Sequence, residues 1–294
     1  MTTLFEQYHP IVLFTFFASV ISLSMFIMHP VYLIIALCGA MSINLAFRRR
    51  RFWKDWKLYV PLFFIMACIN PLISHNGQLI LFYMNGNAVT VEAIVYGVAM
   101  ATMLTTVMLL FSSYNTVMTS DKFLYLFSKF SPALALTVSI TMRLVPHFKM
   151  QLGRIAQAQK TLRMDYTAGS LLHRAKCSMR IISILITWSL ENAIETADSM
   201  KARGYGIGKR TTFSLFVWER RDTSMLLFIV ACAIALLIGS LNGYMTFYYY
   251  PTFTAIHDDP LYIVFYCMYA ALLFLPVAVE LKGAYTWHKL KSNM

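Results

Sequence analysis

Gly204-Tyr205-Gly206-Ile207-Gly208-Lys209-Arg210-Thr211 is the stretch of this sequence that comes nearest to nucleotide chemistry. Glycines ahead of a lysine let backbone amides close around phosphate oxygens, but the phosphate loop needs Gly-x-x-x-x-Gly-Lys followed by Ser or Thr. Here Arg203 stands five residues before Gly208, Arg210 follows the lysine, and no buried strand leads in. The glycines are expected to stop a helix instead. His9, His29, His75, His147, His173, His257 and His288 are dispersed around span ends and loops, with no Ser-His-Asp or Cys-His set in the local sequence. Cys38, Cys68, Cys177, Cys232 and Cys267 form no C-x-x-C pair and meet no histidine at metal-ligand spacing, so they are expected to be apolar packers. No catalytic residue, metal ligand or cofactor is expected in this chain.

The elements that carry these residues are set by composition. The chain is 59% hydrophobic and 13% charged, with 22 Phe and 19 Met, too apolar for a water-soluble globule of 294 residues. A helix crosses a hydrocarbon core with ~20 mostly apolar residues. Stretches of that kind are Ile11–Met28, Pro30–Phe47, Leu58–Ser74, Val89–Ser113, Ser224–Met245 and Leu261–Leu281. The expected fold is therefore all-α: a polytopic membrane protein with about six transmembrane helices and a cytoplasmic layer of amphipathic helices. Its expected sections are 1–113 (four membrane helices), 114–222 (the cytoplasmic region) and 223–294 (two membrane helices and a tail). Glu92 and Glu280 fall near span ends, where they are expected to reach water.

A net charge of +12 would suggest nucleic acid in a soluble protein, but the placement of the charge gives another account. Every Lys and Arg lies within Arg48–Lys57, Lys122–Arg221 or Lys282–Lys291, and six spans put all three windows on one side of the membrane. By the positive-inside rule that side is the cytoplasm, with both termini there and the protein in the cell membrane. The lipid bilayer is the expected partner of this charge, and nucleic acid is not.

The middle section is basic yet rich in Leu, Ile, Met and Phe. Ala133–Met142 is too short to span comfortably and reads as a helix lying at the interface or under the bundle. Phe148, Leu152, Ile155, Gln159 and Leu162 recur at helical period, which predicts an amphipathic helix starting just after Pro146. A third helix is expected from about Met179 to Ala202, with Glu191, Glu195 and Asp198 as a solvated row or as partners of basic neighbours. Asn70-Pro71 is expected to kink the third span. Ala231, Ala235, Gly239 and Gly243 form a small-residue stripe suited to close helix packing, within the chain or with another subunit.

Two stretches of this middle section resemble a known family. Arg143-Leu144-Val145-Pro146-His147-Phe148, running through Gln157-Ala158-Gln159-Lys160-Thr161-Leu162-Arg163-Met164-Asp165, resembles the first coupling segment of the transmembrane T component of energy-coupling factor (ECF) transporters. Ala197-Asp198-Ser199-Met200-Lys201-Ala202-Arg203-Gly204-Tyr205-Gly206 resembles the second. The second keeps an Ala-Arg-Gly signature, whereas the first reads Leu162-Arg163-Met164. The resemblance implies a non-catalytic scaffold that binds two ABC-type ATPase subunits and a small membrane S component for vitamin or metal-ion uptake. Arg163, Arg203, Ala202 and Gly204 are the implied ATPase-docking residues. The alternative from another class is an autonomous secondary transporter or channel, which needs polar groups at mid-membrane where these spans offer mainly Ser, Thr and Asn70.

Overall fold

A bilayer offers the backbone no hydrogen-bond partners, so apolar stretches must satisfy their own amides, and helices do so. In the computed structural model, residues 4–74, 77–84, 87–208, 216–254 and 260–292 are described. Their elements are α1 (Pro10–Phe26), α2 (Pro30–Ile73), β1 (Ile80–Met84), β2 (Asn87–Thr90), α3 (Val91–Val117), α4 (Ser120–Phe130), α5 (Pro132–Thr161), α6 (Leu171–Ala202), α7 (Arg220–Leu241) and α8 (Pro260–Ser292). The chain is an all-α polytopic membrane protein, with one antiparallel pair of strands among the described residues. It divides into two compact units, Met1–Phe123 with Phe216–Met294, and Leu124–Leu215.

Among the described residues of the first unit, five segments are long and apolar enough to cross a membrane: Pro30–Arg48, Trp56–Ile73, Val91–Val117, Arg220–Leu241 and Pro260–Trp287. The sixth expected span, α1, is an apolar helix of 17 residues, at the short end of what a bilayer needs. Two His-Pro pairs bound it. His9 Nδ1 accepts from the Ile11 amide at 3.3 Å and His29 Nδ1 from the Val31 amide at 3.3 Å. Pro10 and Pro30 then take the first helical position, where a missing amide costs nothing.

Spans two and three form one continuous helix, α2, bent at Arg48 (φ −128°, ψ 32°). The Arg48 guanidinium donates to Ser112 of α3. α3 lines both arms of α2. Asn44 Nδ2 donates to the Leu109 carbonyl at 3.3 Å and Ser113 Oγ at 3.4 Å, and Gly97 packs on the Asn70-Pro71 turn. Pro71 has no amide to give the Ala67 carbonyl, and a Cβ on Gly97 would lie 2.6 Å from that oxygen.

The core gathers Phe5, Phe16, Phe17 and Leu109 with Ile229, Leu236, Tyr269 and Leu272. Phe5 stacks edge-on to Phe16 at 5.4 Å, and Tyr269 shares a 3.0 Å hydrogen bond with Ser24. Gly239 of α7 faces the Phe265 ring of α8, an internal contact of the kind small residues permit. Gly243 does not extend that stripe: at φ +86° it terminates α7, whose last helical residue is Leu241.

Of the two membrane glutamates, Glu92 departs from expectation and the part-exposed Glu280 does not. Glu92 is buried and accepts from the Gln78 and Leu79 amides at 3.2 Å, and the half-buried Glu280 accepts from the Phe5 amide at 2.9 Å. Each carboxylate ties a neighbouring segment to its helix, because charge-assisted bonds to orphan amides outweigh exposure to water.

In the second unit, α5 and α6 pack against each other. Trp188 of α6 meets His147 and Phe148 of α5 at 5.4 and 5.6 Å, and Ile155, Cys177 and Ile181 are buried. The helix expected after Pro146 and the one expected over Ala133–Met142 are a single element, α5, with Pro146 inside it. One missing amide does not break a helix whose remaining 30-residue ladder holds. Similarly α6 starts at Leu171, eight residues before Met179, because Ser170 Oγ caps it from the His173 amide at 3.4 Å. Leu152 of the amphipathic row and the cap residue Leu162 are exposed.

Candidate functional site

The residues that the resemblance implies lie at the C-terminal ends of α5 and α6, where unsatisfied carbonyls must find partners. Both ends solve this in the same way. At the end of α6 the Gly204 amide donates to Lys201 O at 2.9 Å and the Tyr205 amide to Met200 O at 3.0 Å. At the end of α5 the Arg163 amide donates to Lys160 O at 3.1 Å and the Met164 amide to Gln159 O at 3.0 Å. This is the paired bonding of a Schellman ending, which requires one left-handed residue just past the cap.

That residue is Gly204 in one ending (φ +84°) and Arg163 in the other (φ +59°). Arg163 is the only non-glycine residue with positive φ among those described. The caps themselves are Arg203 and Leu162. By backbone position Arg163 therefore matches Gly204, not Arg203, and the residue that matches Arg203 is Leu162. The alignment of the two arginines read from sequence is displaced by one residue, because the ending is set by backbone bonds and not by side-chain identity. Glycine enters the left-handed region freely, whereas a side chain there costs ~1–2 kcal/mol.

Arg163, Ala202 and Arg203 are exposed and Gly204 is half-buried. Neither arginine makes an ion pair among the described residues. The nearest acid in sequence to Arg163, Asp165, is engaged elsewhere: it accepts from the Thr167 hydroxyl at 2.7 Å, from the Thr167 amide at 2.9 Å, and meets Lys160 Nζ at 3.3 Å. The Thr167 bonds above all, with Lys160 added, hold the Asp165 carboxyl at a pKa of about 2. The rest of the turn is pinned by Arg174 Nε donating to Tyr166 O at 3.1 Å and Arg180 donating to the Met164 sulfur at 3.0 Å. Sequence reasoning passed over Asp165, Thr167 and Arg180, although Asp-x-Thr is a recognisable turn pattern.

The two endings are well separated. Met164 touches Arg180, and from Arg180 to Arg203 α6 continues for 23 residues, roughly 35 Å at 1.5 Å per residue. Each ending thus offers an exposed guanidinium to its own surroundings. The acidic row is solvated: Glu191, Glu195 and Asp198 are exposed, and Asp198 meets only Lys201, at 3.9 Å. Lys209, Arg210 and Thr211 of the glycine-rich stretch, and Asp258 and His257 of the last loop, lie outside the described residues. Among the described residues no group of three or more His, Cys, Asp or Glu is placed to hold a metal ion.

Comparison with known proteins covers both endings. The profile of the CbiQ family, described as cobalt transport protein, matches residues 7–215. The energy-coupling factor transporter transmembrane protein EcfT of Bacillus subtilis (strain 168) is 33% identical over 101 residues, 34% of this chain and 38% of that protein. EcfT of Lactobacillus helveticus (strain DPC 4571) is 34% identical over 106 residues, 36% of this chain and 38% of the relative. EcfT of Staphylococcus aureus (strain 04-02981) is 31% identical over 111 residues, 37% of this chain and 41% of the relative. The chain thus spans about two fifths of the length of the curated relatives it matches. With α1 through α6 inside the profile match, this chain belongs to the CbiQ family.

Proposed function

We propose that this chain is the transmembrane coupling subunit of an ATP-driven importer of the energy-coupling factor type. Two ABC-type ATPase subunits dock on it, one at the end of α5 through Arg163 and one at the end of α6 through Arg203 with Ala202 and Gly204. A small membrane S component captures the substrate, and ATPase motion reaches it through α5 and α6. The 114–222 section is the coupling region, flanked by the membrane sections 1–113 and 223–294. The basic windows face the cytoplasm, the termini lie on that side, and the membrane is the cell membrane. ATP hydrolysis belongs to the partners.

The observation that carries this reading is the pair of exposed arginines with no acidic partner among the described residues, each fixed at an ordered helix ending and ~35 Å apart along α6. A planar guanidinium so placed makes charge-assisted, bidentate bonds to a carboxylate on another protein. Support also comes from relatives whose names place them in energy-coupling factor transporters. The test is affinity purification of the tagged full chain from its native membrane, with mass spectrometry of what accompanies it. Two cassette ATPases and a small membrane protein are expected. Substrate uptake by vesicles holding the purified chain alone would establish the autonomous transporter instead.

A further inference from the structure

The strands β1 and β2 join two membrane helices with a segment that is unusual for an aqueous loop. From Leu58 to Val91 the sequence holds no Lys, Arg, Asp or Glu. Within it Leu79, Ile80, Leu81 and Tyr83 are 49–69% exposed, four neighbouring large apolar residues that the described residues leave uncovered. β1 and β2 pair antiparallel, with Ile80 opposite Thr90 and Tyr83 opposite Ala88. The hairpin cannot leave the bilayer boundary by much, because five strand residues reach only ~17 Å and both ends continue into membrane helices. Its base is fixed by Glu92, which takes the Gln78 and Leu79 amides.

The adjoining helix arm points the same way. Trp56–Ile73 is the least buried of the five spans, 6% against 44% for Val91–Val117, and Ile69, Leu72 and Ile73 at its end are exposed. Between this arm, α3 and β2 lies a groove of about 350 Å³ lined by Cys68, Pro71, Leu72, Val89 and Val98. Its lining offers no charged group.

We propose that the hairpin is an interfacial membrane anchor: it lies in the leaflet opposite the basic windows, with Leu81 and Tyr83 at the boundary of headgroups and acyl chains, and the groove beside it takes one acyl chain. Lipid is the occupant because Cys68 and Leu72, exposed on the span Trp56–Ile73, also line the groove. Depth is limited by the backbone. A two-stranded hairpin has free amides and carbonyls along both edges, which hydrocarbon cannot satisfy and the wet headgroup region can.

Nitroxide labels on single cysteines measure this directly. In the full-length chain with its five native cysteines replaced, Leu81→Cys and Tyr83→Cys are labelled after reconstitution in phosphatidylcholine–phosphatidylglycerol vesicles. Ile65→Cys serves as the mid-span reference and Thr254→Cys as the aqueous one. Both hairpin sites are exposed, so neither change removes packing, and monodisperse elution confirms folding. Oxygen accessibility should exceed that of a water-soluble nickel chelate at Leu81 and Tyr83, with depth between the two references. A fluorescent label on Cys68, retained as the sole cysteine, should be quenched by acyl-chain nitroxide or bromolipid. Nickel accessibility at Leu81 and Tyr83 equal to that at Thr254 would overturn the proposal, as would shielding from both reagents, which marks a protein contact.

Discussion

Arg163 and Gly204 hold the same place in two successive helix endings: each follows the cap residue, each has a left-handed backbone, and each amide donates to a lysine carbonyl, Lys160 at 3.1 Å and Lys201 at 2.9 Å. A guanidinium on the left-handed residue leaves the chain in a different direction from one on the cap. The two endings are therefore not copies of one docking surface. One presents Arg203 beside a small residue on each side, and the other presents Arg163 between Leu162 and Met164.

The shared backbone makes opposite substitutions informative. Arg163→Gly removes a strained left-handed side chain and should stabilise the α5 ending by ~0.5–1 kcal/mol, whereas Gly204→Ala should cost ~1 kcal/mol. Space is not the issue at Gly204, since the nearest atom to an added Cβ, on Ile207, lies at 3.6 Å. Hydrogen exchange of the Met164 and Tyr205 amides reads the two effects separately. Slower exchange at Met164 in Arg163→Gly and faster exchange at Tyr205 in Gly204→Ala are the expected results.

If the cap position is where a docking arginine can act, moving the charge by one residue should be tolerated at α5. Leu162→Arg with Arg163→Gly rebuilds the Arg203-Gly204 arrangement there. The double variant should retain partner binding, and Arg163→Gly alone should weaken it at least tenfold, ~1.4 kcal/mol or more. Equal loss in both would show that the left-handed position itself is required.

The turn after α5 should be insensitive to mild acid. Asp165 titrates near 2 in the folded chain against an ordinary 3.8, so the carboxylate's contribution to order is complete above pH 3.8 and is lost as pH falls through about 2. Protection of the Thr167 amide should hold from pH 7 to pH 4 and be falling steeply near pH 2. Asp165→Asn should remove it at every pH.

Two glycines in helices should respond in opposite ways. A Cβ on Gly97 meets the Ala67 carbonyl at 2.6 Å, and backbone cannot yield as a side-chain tip does, so Gly97→Ala should lower the thermal stability of the detergent-purified chain. Nothing lies within 4 Å of a Cβ on Gly153, so Gly153→Ala should be neutral or stabilise by up to ~1 kcal/mol. Thermal scans of both variants decide the matter.

The membrane spans were legible because uncharged stretches of span length are coarse signals that survive any packing. So was the end of α6, where Gly204 supplies the freedom that a Schellman ending needs. What sequence could not give was the end of α5, because Arg163 adopts a backbone that its side chain disfavours, and the bonds that impose it come from Lys160 and Gln159. The run of α5 through Pro146 was hidden for a similar reason: a proline marks a lost bond, and the surrounding ladder decides whether the helix stops. The hairpin of β1 and β2 had a signal that went unread, Asn85-Gly86 between apolar runs. Glu92 looked like a solvated end residue, since its amide partners lie 13 and 14 residues away.

The most direct test of the coupling account is retention of the two cassette ATPases by the full-length tagged chain, compared for wild type, Arg163→Glu, Arg203→Glu and Arg203→Lys at matched membrane abundance. Stranding a desolvated carboxylate costs ~3–5 kcal/mol, so each glutamate variant should lose its ATPase by a hundredfold or more. Arg203→Lys should fall between, since the planar fork is lost and the charge kept. Full uptake with both ATPases retained in both glutamate variants would contradict the account and leave these arginines as markers of membrane orientation.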